Sequence, residues 1–264
     1  MKRILLIFGL AGLVTAPLCA QQSDTVYQKR EVIIIDEAPS PAVQQSREVI
    51  VREIKKSGRR YKRDELNFFS GIGLGYNGLV ENLSNLELPQ EAGWMDLENK
   101  SINFNLSVVD YQYNIWRHFG IRTGLELEVN NYRFTQNITP GLDQTGFVTG
   151  IPVKYHLQKT KLVNCYLNVP LLVSIGIGNR NQVELYGGIV GGWRWNSYTK
   201  LKSKEHGKDR NRDELNLRNF HYGYTAGITF HNVGFYATYY PHSIFKKDKG
   251  PEVRPVSVGV ILKY

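Results

Sequence analysis

Cysteine and methionine are scarce in this chain, with two of each in 264 residues. Cys19 lies in an N-terminal segment that reads as cleaved, which leaves Cys165 alone and excludes an internal disulfide. Past that segment no stretch approaches the ~18 uncharged apolar residues of a membrane-spanning helix, so a helical span is excluded. The histidines at 118, 156, 206, 221 and 231 show no ligand spacing, and no metal site is expected. No phosphate-cradling glycine motif occurs, so no cofactor is expected either.

What the chain does have is β composition. Its 25 Gly, 16 Tyr and 11 Phe are spread along alternating segments, and 42% hydrophobic content rules out wholesale disorder. Residues 1–20 read as a signal peptide: Lys2 and Arg3 are the positive start, Ile4 to Val14 the apolar region, and Pro17-Leu18-Cys19-Ala20 the small-residue cleavage site. Ala16-Pro17-Leu18 matches a lipobox poorly, so lipidation of Cys19 is not expected. Loss of Lys2 and Arg3 lowers the formal charge from +9 to +7. An exported chain without a helical span is periplasmic, secreted or an outer-membrane barrel.

Residues 21–65 read as a tail. Gln28-Lys29-Arg30-Glu31-Val32-Ile33-Ile34 is echoed by Gln45-Ser46-Arg47-Glu48-Val49-Ile50-Val51, with the linker-like Ala38-Pro39-Ser40-Pro41 between them. A basic cluster follows: Arg52, Lys55, Lys56, Arg59, Arg60, Lys62 and Arg63. A solvated tail is the plain reading. The sharper one is a docking arm for a periplasmic or envelope protein partner.

From Leu66 the chain alternates with period two. Leu66, Phe68, Ser70, Ile72, Leu74 and Tyr76 form one face, against Asn67, Phe69, Gly71, Gly73, Gly75 and Asn77. Ile102 to Ile115 alternates with a slip near Val108-Val109 that suggests a bulge. Ile121, Thr123, Leu125, Leu127 and Val129 read as lipid-facing; Arg122, Gly124, Glu126, Glu128 and Asn130 read as lumenal, with Arg122 pairing the carboxylates. The apolar face from Val163 to Ile175 opposes Asn164, Tyr166, Asn168, Pro170, Leu172 and Ser174. Val183 to Tyr198, Phe220 to Phe230, Val233 to Tyr240 and Val256 to Tyr264 complete eight strands.

The connections between them alternate long and short at every step, from Gly78–Lys100 to the two-residue His231-Asn232 turn and on to Pro241–Glu252. Outer-membrane barrels sort their loops this way, with short periplasmic turns and long outer loops. The expected fold is therefore all-β: an eight-stranded antiparallel up-and-down transmembrane barrel over residues 66–264, in the outer membrane, with both barrel ends and the tail in the periplasm. Two features strain it. Pro170 removes a ladder donor, so a bulge or break is expected there. The alternating run Phe147, Thr149, Ile151, Val153, Tyr155 and Leu157 reads as a β-arm above the membrane rim, because a ninth strand would reverse every later connection.

The segment Tyr166-Leu167-Asn168-Val169-Pro170-Leu171-Leu172 resembles the Tyr-Leu-x-Ile-Pro-Leu-Leu motif of the PorT-like outer-membrane β-barrel family of Bacteroidetes. Tyr186-Gly187-Gly188-Ile189-Val190-Gly191-Gly192 and Tyr222-Gly223-Tyr224-Thr225-Ala226-Gly227 resemble its glycine-bearing strands. The resemblance covers residues 66–264; it implies an eight-stranded barrel, tolerance of Pro170 and a link to protein secretion. The C-terminal Val256, Val258, Val260, Leu262 and Tyr264 resemble the assembly signal read by the barrel-insertion machinery.

Little here resembles catalysis. His242 and Ser243 stand together near Glu252, but neighbours in a strand point to opposite faces, so they make a poor base and nucleophile. An eight-stranded lumen is just wide enough for side chains, and Arg122, Glu126, Glu128, Asn164 and Asn168 read as a polar core that fills it. The first long loop is acidic, whereas Lys200–Arg212 and Lys246, Lys247 and Lys249 are basic. The basic loops suggest contact with lipopolysaccharide phosphates in the surrounding outer-membrane lipid. An exported barrel has no nucleic-acid partner to meet. The leading reading is a non-enzymatic envelope scaffold linked to secretion; the alternative is a surface adhesin or ligand-binding barrel acting through its outer loops. A lipid-modifying enzyme is the third.

Overall fold

The computed structural model describes residues 64–116, 118–178, 183–205, 207–212 and 215–263. Residues 1–63, which hold the expected signal peptide and the expected tail with its basic cluster, lie outside the described residues, as do His206 and Tyr264. Eleven strands follow in order: β1 Glu65–Val80, β2 Ile102–Trp116, β3 Phe119–Phe134, β4 Ile138–Leu142, β5 Val148–Pro152, β6 Leu157–Ile177, β7 Val183–Ser203, β8 Gly207–Asn211, β9 Phe220–Phe230, β10 Val233–Tyr239 and β11 Arg254–Lys263.

Eight of them form a ring. The sheet runs β6-β3-β2-β1-β11-β10-β9-β7, and β7 pairs back onto β6, every pairing antiparallel. The seam is the β1–β11 ladder from Gly71↔Lys263 to Val80↔Arg254. Such closure removes both sheet edges, which permits an apolar outer wall in lipid. Leu74, Ile102, Val169, Leu171, Val173, Ile175, Ile189, Phe235, Val258 and Leu262 stand exposed on that wall. Aromatic residues flank the band, with Trp116 and Phe230 toward the short turns and Trp193, Trp195 and Phe220 toward the long loops.

Local exceptions have local causes. Phe69 adopts φ 52° where the β1–β2 register shifts between Phe68 and Gly71. The alternation therefore slips: Phe69 is exposed on the wall, while Ser70 turns inward and its hydroxyl donates to Asp110 Oδ2 at 3.4 Å. This reverses the faces that the sequence assigns to these two residues. A second shift between Ser107 and Val109 is the bulge at Val108. Pro170 pairs with Val190 on β7 without a register shift, and the β3–β6 ladder is interrupted only between Thr123↔Leu171 and Glu126↔Asn168. Of the expected bulge or break, the proline produces the break, a gap in one ladder.

Two regions exceed the sequence reading. Strands β6 and β7 run on to Leu157 and Ser203, and β8, read as loop, pairs along β7 from Thr199↔Asn211 to Ser203↔Gly207. The expected single β-arm is instead a hairpin: β5 pairs only with β4, through a tight turn in which Asp143 Oδ1 accepts from the Thr145 and Phe147 amides at 2.8 and 2.9 Å and Gly146 takes φ 77°. Leu157, read as the arm's end, begins β6.

At the long-loop end the connections fold together around an apolar core. It joins Leu79, Ala92 and Met95, Ile138 and Val148, Leu215 and Leu217, and Ile244, Phe245 and Val253, on the inward-facing tops Tyr132, Phe134 and Leu162. Arginines tie the loops from outside this core. Arg194 donates to the Arg218 carbonyl at 3.0 Å, the Leu217 carbonyl at 3.2 Å and Asn219 Oδ1 at 2.7 Å. Arg254 donates to the carbonyls of Pro241 and Glu81. Phe245 is fully buried here. Replacing it with Ala removes a large side chain from a packed core, at a cost of about 3–5 kcal/mol. The expected result is cleavage by external trypsin at Lys246, Lys247 or Lys249 in the variant at a protease level the native protein survives, while the barrel keeps its heat-modifiable gel mobility.

Candidate functional site

The inward positions of the barrel form two polar layers beneath the cap. Glu128 on β3 is the centre of the upper one. Its Oε1 accepts from the amides of Asn103 and Asn130 at 3.1 and 3.0 Å, and its Oε2 accepts from Asn168 Nδ2 and the Tyr240 hydroxyl, both at 2.7 Å. Four neutral donors thus solvate one carboxylate inside the wall, which is what a buried acceptor of this kind requires. The network continues outward: Asn103 Oδ1 accepts from Tyr236 at 2.5 Å and from Asn105 at 3.0 Å.

Aromatic rings brace that layer. His221 on β9 lies between Tyr166 and Tyr240, stacked on each with centroid separations of 3.9 and 4.3 Å. Its Nε2 is 2.9 Å from Asn168 Oδ1, an acceptor, so Nε2 carries the proton. Gly192 on β7 makes this possible, since a Cβ there would sit 1.9 Å from Asn168 Oδ1 and 2.4 Å from His221 Nε2. The glycine creates the space that the imidazole occupies.

The lower layer is ionic. Arg122 forms a two-pronged pair with Asp110, Nε to Oδ1 at 3.2 Å and Nη2 to Oδ2 at 2.8 Å. Lys263 meets Glu184 at 2.9 Å, and both Lys263 and Arg122 face the Tyr186 ring. Glu126 borders a residual cavity of about 70 Å³ between the layers, with Arg122, Tyr186 and Tyr236 on its wall. That space holds a few waters at most.

The structure therefore places Arg122, Glu126, Glu128, Asn164 and Asn168 on the inner side. It does not bring Arg122 to the glutamates: its partner is Asp110, on the adjacent strand β2. Asn164 is buried, yet among the described residues its amide makes no hydrogen bond. In the motif segment, Tyr166 and Leu172 are buried, Pro170 is partly buried, and Val169 and Leu171 face out. Val258, Val260 and Leu262 of the C-terminal strand are exposed on the wall, and Val256 is partly so. Asp110, Asn103, His221, Tyr236, Tyr240, Glu184 and Lys263 belong to the lumen network and were not singled out by sequence. Asp110 follows the Val108 bulge, and counting the alternation afresh from there is the signal that finds it.

His242 and Ser243 do not form a catalytic pair. His242 lies edge-on to Tyr222 with centroids 4.0 Å apart, and Ser243 Oγ donates to the Pro251 carbonyl at 3.0 Å and accepts from the Phe245 amide at 3.2 Å. Lys246, Lys247 and Lys249 lie exposed on a turn of the cap, which docks on the β4–β5 hairpin through the Val148 amide.

The sequence profile of the outer membrane protein beta-barrel domain matches residues 53–246. No curated protein matches the sequence. Among solved structures, the attachment invasion locus protein Ail of Yersinia pestis is similar at 17% identity and a TM-score of 0.34, over 76% of this chain and 97% of that chain. Neisserial surface protein A is similar at 12% identity and a TM-score of 0.37, over 76% of this chain and 99% of that one.

Removing one of the two cations of the lower layer, Arg122, tests it. Arg122→Ala leaves Asp110 charged and unpaired inside the wall, a loss of about 3–5 kcal/mol. The urea midpoint for loss of heat-modifiable mobility in detergent should fall accordingly. Adding Asp110→Ala to the same chain should restore most of it; an additive double variant would show the two residues uncoupled.

Proposed function

The chain belongs to the outer membrane protein beta-barrel domain family, and from that premise we propose that it is a non-enzymatic surface barrel that works by presenting a rigid outer cap to ligands. The observation that carries this reading is the apolar core shared by all the long connections. Loops that serve only to join strands have no need of a common core, whereas a binding surface gains from being held still before its ligand arrives. The cap also presents apolar side chains to the outside: Leu142 and Ile151 of the β4–β5 hairpin are 43% and 42% exposed.

The two competing activities fit the geometry less well. A solute channel requires open space through the ring, and the lumen is crossed by the Glu128 and Arg122 layers and covered by the cap. A serine-type lipid hydrolase requires a free hydroxyl near a base, and Ser243 uses its hydroxyl to hold the last loop. Closer kinship with the PorT-like barrels is part of this proposal and rests on the Tyr166–Leu172 segment; a secretion role does not follow from the cap. The tail read over residues 21–65, the basic cluster included, is proposed as periplasmic, on the parity of the loops.

Two measurements test the reading. Purified protein in planar lipid bilayers should give no discrete conductance steps; regular steps would indicate an open channel and overturn the filled-lumen account. Cells displaying the protein should adhere to immobilised extracellular-matrix proteins, and a Leu142→Ser, Ile151→Ser double variant with normal surface exposure should lose most of that gain. Equal adhesion by cells lacking the protein would overturn the ligand-presenting role.

A further inference from the structure

The β6–β7 hairpin continues well past the aromatic belt. Trp193 and Trp195 on β7 are 55% and 63% exposed, where a barrel meets the headgroup layer. Above them β7 runs on to Ser203, flanked by β6 and then β3 on one side and β8 on the other. The two faces of this raised sheet differ completely. Its inner face carries Tyr132, Phe134 and Leu162 into the cap core.

Its outer face is cationic. Directly opposed residues share a face, and so do residues two apart on one strand. Arg133 opposes Lys161, Lys161 opposes Lys200, and Lys200 opposes Arg210, which lines four cations across four strands. One step higher, Lys159 opposes Lys202, and Lys202 opposes Lys208. Like charges placed opposite one another destabilise a sheet. Only Arg133 is neutralised, by Glu98 at 2.8 Å; the other six have no carboxylate within bridging distance among the described residues. Lys161 donates to Asn131, and Arg210 lies 3.5 Å from the Tyr198 ring, so both are held in place without being discharged.

We propose that this two-row cationic face is a docking surface for the phosphorylated sugar headgroup of lipopolysaccharide. The inference rests on the long-loop end facing outward and is independent of any ligand bound by the cap. Height selects this lipid over an ordinary phospholipid. Lys200 is five residues above Trp195, or about 12 Å along the membrane normal for a strand rising ~3.3 Å per residue and tilted ~40°. A phospholipid headgroup layer is only about 5–8 Å deep. Phosphates and carboxylates carried on sugars reach the higher level, and lysine stems can lean down to meet them. Lys161 agrees with an anion-deficient site: burial, then its neighbours Lys159, Lys200, Arg133 and Arg210, push its ammonium down to about 8. An arriving phosphate relieves that repulsion.

The test uses the full chain in detergent micelles with fluorescent lipopolysaccharide, and with lipid A before and after enzymatic dephosphorylation. Replacing Lys159, Lys161, Lys200, Lys202, Lys208 and Arg210 with Gln should weaken lipopolysaccharide binding about tenfold or more. Native binding should weaken with salt, and dephosphorylated lipid A should bind as poorly as intact lipid A does to the variant. A cap variant with Gln at Lys246, Lys247 and Lys249 should stay within about twofold of native binding, since the screened reach of surface charge is short. If the six-fold variant loses its heat-modifiable mobility, Gln at the exposed Lys202, Lys208 and Arg210 alone should still give a weakening of about threefold or more. Unchanged affinity in the ladder variants, equal binding of dephosphorylated lipid A, or an equal loss in the cap variant would overturn the proposal. Lost adhesion with intact lipopolysaccharide binding, or the reverse, separates the fate of the cap from that of this face.

Discussion

Everything in this chain depends on the closure of the backbone ladder between β1 and β11. With ten residue pairs in register across that seam, no strand of the ring has a bare edge, and the wall can stand in lipid with each backbone group paired within it. Closure also fixes parity. Once the outward positions are given to lipid, every alternate residue must point into a space about one side chain wide. Those residues must then satisfy one another, because little water can reach them. The Glu128 cluster and the Arg122–Asp110 pair follow from this constraint. So does Gly192, whose missing side chain leaves room for the His221 ring between Tyr166 and Tyr240.

The eight ring strands were legible because lipid imposes a pattern that can be read at a distance. Apolar residues recur at every second position wherever a strand crosses the membrane, and loop lengths sort by side. The strands' true lengths were not legible, for the same reason. Above the rim β6 and β7 exchange Val and Leu on their outer face for Lys159, Lys161, Lys200 and Lys202, so the apolar signal ends while the hydrogen-bonded ladder continues. Periodicity of hydropathy reports the surroundings of a strand, not the strand itself. The β1 bulge shows the complementary failure. One residue at positive φ, Phe69, swaps the faces of its neighbourhood, and a phenylalanine gives no advance notice of such a turn.

The lumen was half legible. Alternation assigned Arg122, Glu126, Glu128, Asn164 and Asn168 to the inside, but which of them meet depends on register across strands, and register is set by bulges. The Val108 bulge lies between β2 and β3 and brings Asp110 level with Gly124, within reach of Arg122. Without that insertion the nearest anions in the pattern are Glu126 and Glu128 of the same strand, four and six residues away. The cap was not legible at all. Its core draws two or three apolar residues from each connection, among them Met95, Val148, Leu217 and Phe245, and no single loop carries enough of them to display a period.

The cap and the raised sheet of β6, β7 and β8 together explain why the outer half of the molecule departs from a plain barrel. Extending a hairpin beyond the membrane leaves its inner face without a lumen to line and its outer face without lipid to meet. The inner face is covered by the loops, which fold over Tyr132, Phe134 and Leu162. The outer face must be made compatible with a crowded anionic headgroup layer, and lysine does this at both levels. It keeps the edge strand β8 from recruiting another strand, and it offers charge where sugar-borne phosphates stand. A neutral polar surface would achieve the first and not the second. The rows Lys161–Lys200–Arg210 and Lys159–Lys202–Lys208, which meet no carboxylate among the described residues, cost the isolated protein stability through mutual repulsion, and counter-charge supplied from outside the chain offsets that cost.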